Sequence, residues 1–333
     1  MKCKVEKSKI TGQIICPSNK SYTHRAIFLA SLAGNNSKVD NALLSADTAA
    51  TIDACKKFGA VIKTQNSTII AENPIKLDVN VPEINTENSG TTIRIASGIA
   101  SLFSNEITLT GDVSLQKRPM QPLLDALESI GAQCDSTDGK PPIKIKGKIL
   151  GGNVSIPGNL SSQFVSALLI SAPLTEKGIN LTIEGNLVSK PYLDATIATM
   201  RKFGVTVQTL IPYKKYNITP QIYKSATFTV PIDFSSLGLL LSAVVLNGED
   251  VIIKGNLGDL PQGDEVFLDI LEQLGVSVTI NDDEIKIKSP EKLNGGKFDL
   301  SNSPDLLPPL AILALKTTAP IEITNVKHAR LKE

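Results

Sequence analysis

The chain has 333 residues, too many for one ordinary hydrophobic core, so at least two domains are expected. Its 34 basic and 33 acidic residues leave a net charge of +1, which gives no bulk field for nucleic acid or an anionic membrane. With no tryptophan and 4% aromatic residues, it also lacks the makings of a base-stacking surface.

Residues 1–7 alternate charge and carry no apolar core of a secretion signal. The first informative element opens at Pro17-Ser18-Asn19-Lys20-Ser21, a polar turn that leads through Arg25 into the apolar stretch 26–30. It reads as a helix start, offering free backbone N–H groups, a hydroxyl and the positive end of the helix dipole. Lys20 and Arg25 add two positive charges, so this is an anion site, most naturally for phosphate. The next helix, 52–58, is amphipathic and ends at Gly59-Ala60, where the chain enters a strand.

The same layout then recurs along the chain. Helices that open polar and continue apolar start at Ser89-Gly90-Thr91, Ser161-Ser162-Gln163, Ser235-Ser236 and Pro304-Asp305. Amphipathic helices end at Gly131-Ala132, Gly204-Val205 and Gly275-Val276. With Gly59, these glycines recur roughly every 72 residues, and each suits the left-handed position that terminates a helix. After Gly275 the residues alternate as strands around an Asn281-Asp282-Asp283 turn. Each round therefore reads as a βαβαββ unit with one buried and one outer helix. The apolar runs 237–246 and 306–315 fall short of the ~18–20 residues of a membrane span and read as buried helices. Five inner starts stand against four outer glycines, and 328–333 looks like an outer helix stopped in its first turn. The expectation is a fragment of a longer chain or a truncated gene product.

Cys3, Cys16, Cys55 and Cys134 form no Cys-x-x-Cys pair, and only His24 and His328 could join them around a metal. They read as reduced thiols of a cytoplasmic protein.

The stretches 17–26 (Pro-Ser-Asn-Lys-Ser-x-x-x-Arg-Ala), 88–94 (Asn-Ser-Gly-Thr-Thr-x-Arg), 109–119 (Leu-Thr-Gly-Asp to Gln-Lys-Arg-Pro), 161–164 (Ser-Ser-Gln-Phe), 188–192 (Val-Ser-Lys-Pro-Tyr), 304–305 and 330–333 (Arg-Leu-Lys-Glu) resemble the enolpyruvyl transferases, specifically the branch that uses shikimate 3-phosphate. The resemblance implies a two-domain inside-out α/β barrel of repeated βαβαββ units, six in the family and four with part of a fifth here. Residues 14–226 would form a complete three-unit domain. Residues 1–13 plus 227–333 would form a partial second domain, with crossings near 12–15 and 225–230 and an incomplete lobe. The implied reaction joins phosphoenolpyruvate to the 5-hydroxyl of shikimate 3-phosphate and releases phosphate, in the pathway to chorismate and the aromatic amino acids. It proceeds by addition and elimination, needs general acids and bases, and uses no metal or cofactor. The partners are the two small molecules; the family implies a cytoplasmic monomer without nucleic acid or membrane.

By resemblance, Lys20 contacts both substrates and takes part in catalysis; a lysine here is otherwise a solvated cap. Ser21, Arg25, Ser161, Ser162, Ser189 and Lys332 hold shikimate 3-phosphate, and Gln163 is shared by both ligands. Gly90 lets the backbone approach phosphoenolpyruvate, and Arg118 forks onto it. Asn88 and Arg94 brace that loop, and Tyr192 bounds the shikimate ring. Asp305 matches the base for the shikimate hydroxyl and contacts that substrate, although a capping aspartate is the plain alternative. Glu333 matches the second catalytic carboxylate, and His328 stands where many relatives have asparagine. Asp233 with Ser235-Ser236 reads as a cap, and Asp47 as a capping or dipole-paired residue.

Two other readings compete. A UDP-N-acetylglucosamine enolpyruvyl transferase shares the fold but carries a reactive cysteine where the loop 112–117 has none. An inactive anion-binding remnant follows from the expected truncation, which would leave the chain poorly active and expose apolar surface.

Overall fold

The computed structural model describes residues 3, 4, 6, 9–327 and 329. The first round of the repeat is β1 (Ile10–Ile15), α1 (Lys20–Ala33), β2 (Ser37–Asp40), α2 (Ala46–Lys57), β3 (Val61–Gln65) and β4 (Thr68–Asn73). The second is β5 (Glu83–Asn85), α3 (Gly90–Ala100), β6 (Ile107–Thr110), α4 (Gln121–Glu128), β7 (Gln133–Thr137) and β8 (Lys140–Lys146). The third is β9 (Gly152–Pro157), α5 (Ser162–Ser171), β10 (Ile179–Glu184), α6 (Lys190–Lys202), β11 (Gln208–Ile211) and β12 (Lys215–Ile218). The fourth is β13 (Thr227–Thr229), α7 (Phe234–Asn247), β14 (Gly248–Lys254), α8 (Val266–Gln273), β15 (Ser277–Asn281) and β16 (Glu284–Lys288). A further partial round is β17 (Gly296–Asp299), α9 (Leu307–Leu313) and β18 (Ile321–Thr324).

Gly59, Gly131, Gly204 and Gly275 have φ of +92°, +116°, +78° and +93°, so each outer helix stops at a residue that a side chain would strain. Each complete round supplies a four-stranded mixed sheet. The second runs β5-β6-β8-β7 and the third β9-β10-β12-β11. The first and fourth exchange their leading strands: β1 lies parallel on β14, and β13 lies parallel on β2.

This exchange sets the two compact units, Asn19–Val230 and Met1–Ser18 with Pro231–Glu333. The family resemblance implies divisions near residues 14 and 226. The ladder Ile10↔Gly248 to Ile15↔Lys254 carries all of β1 with the residues after 231. The ladder Thr227↔Lys38 to Thr229↔Asp40 carries β13 with the residues before 230.

Within Asn19–Val230 the inner helices α1, α3 and α5 are buried along most of their length, including Ile27, Phe28 and Leu29, Ile93 and Ile95, and Phe164, Leu168 and Leu169. Each such side chain contributes about 1.5–3 kcal/mol by leaving water. A Cβ on Gly98 would lie 2.6 Å from the Ala167 carbonyl oxygen, so α3 and α5 pack backbone to backbone only because that residue is glycine. Phe58 stacks on Phe103 at 5.3 Å between ring centroids.

The other unit builds its core from Phe234, Leu237, Leu241, Phe267, Leu271, Leu306 and Leu310. Here the expectation of fully buried helices fails. Leu239 on α7 is 55% exposed, Ile312 on α9 46%, and Leu315 just beyond it 82%. The core lies against one side of each helix, and no described element covers the other. Among the described residues, no helix is long and apolar enough to cross a membrane.

Candidate active site

Three inner helix starts and one outer start of the Asn19–Val230 unit carry the candidate residues. Asn19 caps α1, its side-chain oxygen accepting from the Tyr22 N–H at 2.8 Å, so Lys20 is held at the first helical position. The Lys20 ammonium lies 3.2 Å from Asp47 Oδ2, in the first turn of α2, and its side chain is 44% exposed. Such a pair contributes little stability and leaves the ammonium accessible. The α2 cap is Ser45, in a capping box with Thr48, and not Asp47.

Arg25, one turn inside Ser21, is 1% exposed. Its Nε donates to Thr196 Oγ1 at 2.7 Å, Nη1 to the Ser21 carbonyl at 2.9 Å and Nη2 to the Tyr192 carbonyl at 3.0 Å. Burial draws its pKa down to about 10. All three partners are neutral, so a full positive charge is buried without a carboxylate, an arrangement that an anionic ligand completes. Tyr192 also presents its ring 6.0 Å from the guanidinium carbon. Just before it, Ser189 caps α6 at φ +54°, ψ +46°, and is 8% exposed. Its hydroxyl makes no capping bond. A serine held left-handed costs about 1–2 kcal/mol, the kind of strain that collects at functional sites.

Ser89 caps α3, accepting from the Thr92 N–H at 3.2 Å. A Cβ on Gly90 would fall 2.6 Å from Arg118 Nη1. Asn88 Oδ1 accepts from Arg118 Nη2 at 2.9 Å and fixes that guanidinium. Arg94 Nη1 donates to Gln163 Oε1, and Gln163 Nε2 donates to Thr91 Oγ1 at 2.9 Å. Gln163 is therefore locked with its amide between α3 and α5. Ser161 caps α5, accepting from the Gln163 N–H at 3.2 Å, and Ser162 follows it, 3% exposed.

Lys20, Ser21, Arg25, Gly90, Arg118, Ser161, Ser162, Gln163 and Ser189 thus sit on the starts of α1, α3, α5 and α6 and the loop before α4. Those helices pack on one another through α1–α3, α3–α5, α1–α6 and α5–α6 contacts. Asp305 lies in the other unit, on the short turn Pro304–Leu306 that leads into α9. Asp233 caps α7, its Oδ1 accepting from the Ser235 and Ser236 N–H groups at 2.9 and 3.4 Å. His328, Lys332 and Glu333 lie outside the described residues. The four cysteines carry no disulfide, and the described residues hold no cluster of metal-ligating side chains.

Sequence reasoning missed Asp47 as the partner of Lys20, and Thr196 with Ser166 as the hydroxyl pair behind Arg25, 2.8 Å apart. The available signal was polarity inside a buried helix. Ser166 interrupts the apolar run of α5, and Thr196 sits one turn after Tyr192.

Repeated βαβαββ units that place Lys20, Arg25 and Arg118 at or beside helix starts define an α/β protein with seats for small anions. The model of the EPSP synthase (3-phosphoshikimate 1-carboxyvinyltransferase) family matches residues 5–333, and the chain belongs to that family. It is 83% identical over its full length to the 3-phosphoshikimate 1-carboxyvinyltransferase of Nitrosopumilus maritimus, of which it covers 79%. It is 40% identical to the protein of that name from Methanosphaera stadtmanae, covering 80% of it. The chain spans about four fifths of the length of these two relatives.

Among solved structures, an EPSP synthase from Acinetobacter baumannii superposes with a TM-score of 0.81 at 24% identity, over 98% of this chain and 76% of that one. An enolpyruvyl transferase from Streptomyces tendae superposes at 0.71 with 16% identity, over 95% and 75%. Both likenesses speak to fold alone.

Proposed function

We propose that the chain transfers the enolpyruvyl group of phosphoenolpyruvate to the 5-hydroxyl of shikimate 3-phosphate, with the helix-start cluster as the substrate seat. The observation that carries this reading is Arg25, a buried cation whose three partners are all neutral, within the same unit as Lys20, Arg118 and the close approach at Gly90. Two phosphorylated anions supply the missing charge.

Arg25, Ser21, Ser161, Ser162 and Ser189 take shikimate 3-phosphate. Arg118 and the Gly90 backbone take phosphoenolpyruvate. Lys20 and Gln163 touch both, and Asp305, Lys332 and Glu333 are assigned roles toward the same substrates by the family resemblance. In the addition step the 5-hydroxyl oxygen bonds to C2 of phosphoenolpyruvate, its proton leaves to a base, and an acid protonates C3. In the elimination step C3 returns a proton, the C2–O bond to phosphate breaks, and the enol ether forms. Asp305 is assigned as base toward the hydroxyl, with Lys20 and Glu333 as the groups that exchange protons at C3 and the departing phosphate. On this reading the protein is a cytoplasmic monomer, as the family resemblance implies; its four free thiols suit a reducing compartment.

The test is phosphate release from phosphoenolpyruvate. Release that requires shikimate 3-phosphate, and is not supported by a UDP-sugar, is the expected result. Release independent of shikimate 3-phosphate would overturn the reading.

A further inference from the structure

Ser189 is held left-handed without a capping bond of its own, so contacts from elsewhere fix the bend. They come from the tip of the hairpin between β11 and β12. On the side entering the bend, the Lys214 ammonium donates to the Gly185 carbonyl, and the Ile183 N–H donates to the Lys214 carbonyl at 2.8 Å. On the side leaving it, Tyr213 reaches the start of α6. Its hydroxyl donates to Asp194 Oδ2 at 2.9 Å, and Lys190 Nζ stands 5.2 Å from its ring centre. The chain before Ser189 and the chain after it are therefore tied to two neighbouring residues of one hairpin tip.

The tip is itself set. Tyr213 has φ +57°, a second left-handed residue without glycine's freedom. Its N–H donates to the Tyr216 hydroxyl at 2.8 Å, and Tyr216 is 2% exposed. The Lys214 N–H closes the turn on the Ile211 carbonyl at 3.0 Å. Burial and the neighbouring Asp194 push the Tyr213 pKa up to about 12, so at neutral pH the hydroxyl keeps its proton and is the donor. Lys190 and Asp194 lie four residues apart, on one face of α6. One tyrosine thus grips adjacent turns, by its ring and by its hydroxyl. The bond to a carboxylate is the stronger of the two holds.

We propose that Tyr213 is a positioning residue for the shikimate 3-phosphate seat: through Asp194 and Lys190 it holds the first turns of α6 so that Ser189 stays left-handed, with its hydroxyl placed for the phosphate. The inference rests on the reading of Ser189 as a contact of that substrate.

A double-mutant cycle between residues 189 and 213, read by calorimetric titration of the full chain with shikimate 3-phosphate, tests it. Tyr213→Ala should weaken binding about threefold or more, and no more than Ser189→Ala does, because it acts through that hydroxyl. In the Ser189→Ala background the further loss should be below about 1.5-fold. Phosphoenolpyruvate, titrated in saturating shikimate 3-phosphate, should bind Tyr213→Ala within about twofold of the parent. Should Tyr213→Ala fail to fold, Asp194→Ala takes its place in the cycle, since it removes the acceptor and leaves the ring on Lys190. Asp194→Asn, whose amide oxygen still accepts, should stay within about twofold of the parent. Independent losses at the two positions, or an equal loss of phosphoenolpyruvate affinity, overturn the positioning role while Ser189 keeps its place in the seat. If Ser189→Ala alone binds shikimate 3-phosphate as the parent does, the reading of Ser189 as a contact fails, and the proposal with it.

Discussion

Gly90 and Arg118 are in direct contact: the guanidinium Nη1 occupies the space into which a Cβ at residue 90 would project, 2.6 Å away. Asn88 holds the other end of the same guanidinium at 2.9 Å. The backbone of α3 and the cation of the loop 111–119 thus form one surface. Gly90→Ala should displace Arg118 rather than unfold the helix, because the clash is with the end of a long side chain. Phosphoenolpyruvate affinity should fall about tenfold, equivalent to one charge-assisted bond, with shikimate 3-phosphate affinity nearly unchanged. Separate dissociation constants for the two ligands check this.

Ser189 separates a capping role from a binding role. Its hydroxyl makes no capping bond, so Ser189→Ala should leave the melting temperature of the ligand-free chain nearly unchanged. It should weaken shikimate 3-phosphate by about three- to tenfold, the worth of one hydrogen bond. A stability loss without a binding loss would place the hydroxyl in the fold and not in the site.

The two aspartates at helix starts of the second unit should part company in the same way. Asp233 accepts two backbone N–H groups, and Asp233→Ala should cost about 1 kcal/mol of stability. Asp305→Ala should lower turnover by about 10²–10⁴-fold while substrate binding is largely kept, as for loss of a general base. Denaturant titration and single-turnover kinetics distinguish them.

His24 gives the chain a pH-dependent stability. Its folded pKa is about 3, well below that of a free imidazole, so the unfolded chain takes up a proton that the folded chain refuses. Stability should be fully present above pH about 6.5 and fall as pH drops toward about 3, by roughly 1.4 kcal/mol per unit within that window. His24→Asn should flatten the dependence between pH about 6.5 and 5, where carboxylates are still ionised. Denaturation midpoints at several pH values measure both slopes.

The repeat was legible in the sequence because it is written in local chemistry. Gly59, Gly131, Gly204 and Gly275 each stop a helix at positive φ, and polar starts such as Ser161-Ser162 announce the helices that follow. The exchange of β1 and β13 was not legible. Both read as ordinary strands, and their partners, β14 and β2, are chosen by contacts roughly 190–240 residues away in the chain, which no local pattern records. Within the site, Lys20, Gly90 and Arg118 stood out through motif and charge. Asp47 did not, because its partner is on another helix and its own position explained it as a dipole-paired residue. Ser189 hid its left-handed backbone because only glycine or asparagine signals such a conformation in sequence.

The central claim is that a buried, carboxylate-free arginine marks the seat of an anionic substrate, and Arg25→Met tests it most directly. The Tyr192 carbonyl keeps its bond from Thr196 Oγ1 at 2.9 Å, and Thr196 keeps Ser166, so the variant loses little of the ligand-free fold and sheds the cost of a buried charge. Calorimetric titration of the full chain with shikimate 3-phosphate should show binding by the parent and at least about tenfold weaker binding by Arg25→Met, at an unchanged or higher ligand-free melting temperature. Equal affinity for parent and variant, or a variant that loses stability while still binding, would contradict the account.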